Sequence, residues 1–179
     1  MKRRLIFVAL SALLLSTAAF AQSTGEKTGV NSMLGIAPKT ADFIKEAAMS
    51  DMLEIDSAKL AEQKGNAAEK TFAAQMIADH TKTSAELKGM VSGDLKAAIP
   101  TALDDSSRKK LDKLKNAKPE DFASQYDPMQ VSAHKDAVSL FERYAKGGDH
   151  PKLKDWAGQT LPTLQHHLEM AQDMNKNRK

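Results

Sequence analysis

The stretch Phe72-Ala73-Ala74-Gln75-Met76-Ile77-Ala78-Asp79-His80 decides the fold, because it carries an apolar stripe of helical period that runs straight into an imidazole. Phe72, Met76, Ile77, Ser84, Leu87 and Val91 fall on one helical face, and His80 lies in the middle of it. A core position therefore holds a titratable ring. The rest of the chain can be searched for matching stripes.

Three other segments supply one. The first predicted helix runs from about 40 to 64, with Thr40 or Asp42 as its cap and Phe43, Ala47, Ser50, Glu54, Ala58 and Ala61 facing inward. It ends at Gly65-Asn66, a pair able to take positive backbone angles. The helix around His80 runs from about 67 to 98, and Pro100 stops it. A third begins with Asp127 as cap and Pro128 in its first turn, and presents Val131, His134, Val138, Phe141 and Ala145. The fourth runs from about 149 to 175, with Leu153, Ala157, Thr160, Leu164, His167 and Ala171 on one face and a kink expected at Pro162. Between the second and third, residues 101 to 127 form a long connection with a short basic helix capped by Asp104-Asp105-Ser106-Ser107 and ended by Pro119. No segment after the N-terminus alternates over a strand's length, so the fold class is all-α.

The spacing brings polar groups to one depth. Counted from the turn at Gly65-Asn66, Glu54 and His80 fall within about 5 Å of the same level, and around Gly147-Gly148 His134 and His167 differ by about 6 Å. Four helices thus direct Glu54, His80, His134 and His167 toward one interior. Three imidazoles and a carboxylate suit a transition metal such as zinc, iron or copper, and not calcium or magnesium, which take oxygen ligands. Asp51, Glu62, Asp79 and His166 are candidates to hold the far nitrogens of the rings. Buried neutral histidines that only satisfy hydrogen bonds would give the same pattern. A rival soft site, His166, Met170 and Met174 with Met49 and Met52, would suit Cu(I), although methionine at helical spacing is usually core filler.

The N-terminus bounds the compartment. Lys2, Arg3 and Arg4, an apolar run from Leu5 to Leu15, and Ala19-Phe20-Ala21 make the three parts of a secretory leader over residues 1 to 21. That run is too short for a transmembrane anchor. The leader's three basic residues account for the whole excess of 26 Lys+Arg over 23 Asp+Glu, so the mature chain has no basic surplus to attract nucleic acid. No cysteine is present to form a disulfide. The expected location is periplasmic. Residues 22 to 37, with three glycines, read as a flexible N-terminal segment ahead of a helical domain over 38 to 175.

Glu54-Ile55, Phe72-Ala73, Met76 to His80, Phe122 to Tyr126, Met129 to His134, and Leu161-Pro162 leading to His166-His167-Leu168 resemble the bacterial envelope proteins grouped as domain of unknown function 4142. The resemblance covers about residues 38 to 174 and implies a ferritin-like four-helix bundle with a long second connection. It carries Glu54, Asp79, His80, His134 and His167 as matching positions. The chain departs from the Glu-x-x-His pattern of di-iron members of that superfamily, with Ile77, Val131, Thr163 and Leu164 three residues before His80, His134, His166 and His167.

Two main expectations follow. One is a periplasmic bundle that binds a single metal ion through Glu54, His80, His134 and His167, in metal handling or envelope stress. The alternative is a structural or interaction module of the envelope with buried histidines and no metal. An enzyme with an open metal position would require a cleft reaching the rings, and no residue is assigned a catalytic role.

Overall fold

The computed structural model describes residues 23–27 and 29–178, without the side chain of Lys27; the expected leader at 1 to 21 lies outside these residues. The described residues contain helices and no strand. In chain order they are α1 (Thr24–Lys27), α2 (Val30–Met33), α3 (Thr40–Lys64), α4 (Ala67–Met90), a 3-10 helix (Gly93–Ala98), α5 (Asp105–Asn116), α6 (Pro119–Gly147) and α7 (Pro151–Lys176). Helices α3 and α4 pack as one hairpin and α6 and α7 as another, with α3 against α6 and α4 against α7.

Local chemistry explains most of the boundaries. Asn66 caps α4 by accepting the Ala68 and Glu69 amides, and Glu69 Oε2 in turn accepts the Asn66 amide at 2.7 Å, which closes a capping box. Asp104 caps α5 by accepting the Ser107 amide at 2.7 Å. His150 caps α7 through the Leu153 amide, with Pro151 in the first turn. Gly65 has φ −71, so the turn after α3 does not use the positive angle expected of it. Close approach is the reason for glycine there: a Cβ would lie 2.6 Å from the Ala61 carbonyl oxygen and 2.8 Å from Glu69 Cβ.

The expected third helix start at Asp127-Pro128 is corrected. Helix α6 begins nine residues earlier at Pro119 and passes through Pro128, which is exposed, while Asp127 is buried instead of capping a terminus. Phe122 and Tyr126 ahead of the proline and His134 beyond it all face the core, so tertiary packing holds the helix together across one missing amide. Helix α4 also ends earlier than expected, at Met90, and residues 93 to 98 form the 3-10 helix. The segment expected as a flexible lead carries α1 and α2, tied to the helices by a buried Glu26–Arg143 ion pair at 2.9 Å and by the Ile36 carbonyl accepting from Arg143 at 2.6 Å.

The core falls into two apolar clusters. One gathers Phe43, Ile44, Leu87, Phe141, Tyr144, Trp156 and their neighbours, with Phe43 stacked on Tyr144 at 3.8 Å. The other gathers Ala58, Phe72, Met76, Leu114, Phe122 and Tyr126. On all four long helices buried polar residues lie between the two clusters: Asp51, Glu54 and Ser57, then His80, then Gln130 and His134, then His167. No helix among the described residues is long and apolar enough to cross a membrane.

Candidate metal centre

The polar layer is built by helical register. Each long helix puts its polar residue on the same stripe as its apolar neighbours, so that Met76, His80 and Leu87, or Gln130, His134 and Ala137, share a buried face. Three rings meet at the centre. Ring centroids of His80 and His134 are 5.8 Å apart, those of His80 and His167 5.5 Å, and those of His134 and His167 5.5 Å. One nitrogen from each lies within 4.8 Å of the other two.

One nitrogen of each ring is held. His80 Nδ1–H donates to Asp51 Oδ1 at 2.9 Å, which also accepts from Thr83 Oγ1. His134 Nδ1–H donates to the Gln130 carbonyl at 2.9 Å. His167 Nε2–H donates to Asp79 Oδ2 at 2.8 Å, itself bonded by Gln75. These acceptors fix the ring orientations and leave His80 Nε2, His134 Nε2 and His167 Nδ1 buried with no partner. Glu54 is 1% exposed, and neither of its carboxyl oxygens has a partner. It stands outside the group of three nitrogens within 4.8 Å.

Electrostatics separate the three rings. Burial disfavours a charge on His80, but its hydrogen bond to Asp51 and the charges of Glu54, Asp51 and Asp79 outweigh that and raise its pKa. Burial lowers the pKa of His134, with Glu54 only partly offsetting it. Burial takes His167 down to about 4 despite its bond to Asp79. Two of the rings thus keep free lone pairs in neutral solution, which a metal ligand requires.

Of the expected supporting groups, Asp51 and Asp79 do hold the rings, whereas Glu62 is exposed and His166 turns toward Glu169 at the surface. The soft site is not assembled: Met49 lines a cavity beside Arg143, and Met170 and Met174 line another with Asp127. Sequence reasoning missed Gln130, whose carbonyl holds His134 and whose amide donates to Ser57 Oγ at 3.1 Å. Its position four residues before His134 on the same stripe was the available signal. Neither cavity, of about 700 and 720 Å³, is lined by Glu54 or by any of the three rings.

An all-helical body whose core is interrupted by a layer of inward-facing histidines is the class this chain falls in. It belongs to the family described as Domain of unknown function (DUF4142), which matches residues 25–174. No curated protein and no solved structure matches it.

Proposed function

We propose that this chain is a periplasmic four-helix bundle of ferritin-like architecture that holds one transition-metal ion between His80, His134, His167 and Glu54. In this reading residues 1 to 21 are the export leader, 22 to 37 an N-terminal segment and 38 to 175 the binding domain. One observation carries it. Three buried rings each bring a nitrogen to within 4.8 Å of the other two, and each ring has one nitrogen held by an acceptor and one with no partner. An unpaired buried acceptor costs about 1–3 kcal/mol, and lone pairs crowded together repel besides. A cation removes both costs, and zinc, iron or copper accepts three imidazoles and one carboxylate oxygen. Metal handling or a part in envelope stress fits a closed site of this kind, since no cavity described above reaches the rings.

The test is metal content. Chelator-stripped protein offered zinc, copper and iron in turn is expected to retain one equivalent of a metal and to melt higher, by about 2.7 kcal/mol of added stability at a hundredfold excess over the dissociation constant. His80→Ala and His134→Ala should abolish both effects. Protein that stays metal-free, with an unmoved melting temperature for all three ions, removes the proposal.

The raised pKa of His80 favours a second reading, a structural module in which a proton on that ring takes the place of a cation. There His134→Ala would cost the same stability with or without chelator.

A further inference from the structure

A cavity of about 720 Å³ is lined by Asn66, Phe72, Asp127, Met170, Met174 and Arg178 among others. Asp127 lines it while only 1% exposed, and its Oδ1 has no hydrogen-bond partner. Glu69 on α4 is buried to the same degree; its Oε2 serves the Asn66 cap and its Oε1 has no partner.

The unpaired atoms continue inward. Asp127, Gln130 and His134 follow one another on a single face of α6, and Asp127 Oδ1, Gln130 Oε1 and His134 Nε2 are all buried acceptors without a donor. Two helical turns, about 10 Å, separate the first from the last. The Tyr126 hydroxyl and both Glu54 oxygens are likewise buried and unpaired. Tyr126 feels the charges of Glu54, Asp127 and Glu69 together. Phe72 bounds this space: it lines the cavity, and its ring centroid is 6.3 Å from that of Tyr126 and 5.9 Å from that of His134. A proton shared between Asp127 and Glu69 would account for that pair. It leaves Gln130, Tyr126 and Glu54 unexplained.

We propose that the Asp127 and Glu69 carboxyl groups form the port by which a divalent cation reaches the histidine cluster, passing the Phe72 ring along the unpaired oxygens of Gln130, Tyr126 and Glu54. The port rests on the metal reading above. Carboxylates in a low-dielectric cleft concentrate cations and raise association rates by roughly 10- to 1000-fold, so the pair sets the rate of loading more than its endpoint.

Stopped-flow mixing of metal-free protein with cobalt(II) at about pH 8, where Asp127 with its pKa of about 7 is ionised, followed by the visible absorption of the ion, reads that rate. Asp127→Asn and Glu69→Gln are expected to load about tenfold or more slowly than wild type and to reach the same one-ion endpoint. Asp136→Asn, which alters an acid lining the other cavity, should load at the wild-type rate. Wild-type rates in both Asp127→Asn and Glu69→Gln, or equal slowing in Asp136→Asn, overturn the port while leaving the metal site standing. Slowing confined to Asp79→Asn overturns it as well, and places the approach beside His167. Wild-type protein that takes up no cobalt at all fails the metal reading itself, and the port with it.

Discussion

Glu54 concentrates the tension between stability and binding in a single residue. Its carboxyl group is 1% exposed, has no hydrogen-bond partner, and lies in the polar layer, where its charge acts on Asp51, His80 and His134. A buried carboxylate left in this condition is costly, and an amide of the same shape has no charge to desolvate. Glu54→Gln is expected to raise the stability of the metal-free protein by about 1 kcal/mol and to weaken metal binding by about tenfold or more. Denaturant melts on chelator-stripped protein and a metal titration would show the two changes in opposite directions; a loss of apo stability would mean that Glu54 supports the fold. The residue was legible because an acid on an otherwise small and apolar stripe is conspicuous, as were His80, His134 and His167. Asp127 was misread for an equally physical reason. Asp followed by Pro is a strong local start signal, and nothing local reports the contact with Glu69 on another helix.

The helices differ in how firmly their own sequence sets their ends. Helix α4 has a complete capping box, in which Asn66 and Glu69 satisfy each other's backbone amides. Asn66→Ala should lower stability by about 1 kcal/mol in thermal or denaturant melts, and Asn66→Asp should restore most of it, because the lost interaction is an acceptor for amides that have no helical partner. Helix α6 is the opposite case. Its start at Pro119 has no side-chain cap bond, and its path through Pro128 is set by what it buries on either side. The start of α7, capped by His150, could therefore be placed from sequence to within a residue or two; α3 also starts where expected, at Thr40, but its N-cap is Lys39 without a side-chain bond, and neither Thr40 nor Asp42 caps it. The continuity of α6 depends on packing of Phe122 and Tyr126 against α3 and α4, which periodicity within one helix cannot report.

Across the whole molecule, two apolar clusters are separated by a polar layer, and protons bound in and beside that layer make stability depend on pH. Burial and the charge of Glu69 raise Asp127 from 3.8 to about 7, against a smaller opposing pull from Arg178. Between about pH 4 and 7 the folded protein therefore holds a proton that the unfolded chain has released, and stability from this group falls as pH rises through that window. His167, lowered from 6.5 to about 4, acts in the other direction: the unfolded chain takes up its proton first, so stability falls as pH drops from about 6.5 to 4. The two slopes oppose each other in the wild-type protein. Asp127→Asn carries no such proton and leaves the His167 slope uncompensated. Contributions from titrating groups that do not feel Asp127 are common to both proteins and cancel in the difference. The variant should match wild type near pH 4, gain on it as pH rises, and level off above about pH 7 at an advantage on the order of 2–4 kcal/mol. Melting curves of chelator-stripped wild-type and Asp127→Asn protein at about pH 4, 5.5 and 8 measure that difference, and an offset constant across the series would show that Asp127 does not carry the proton assigned to it.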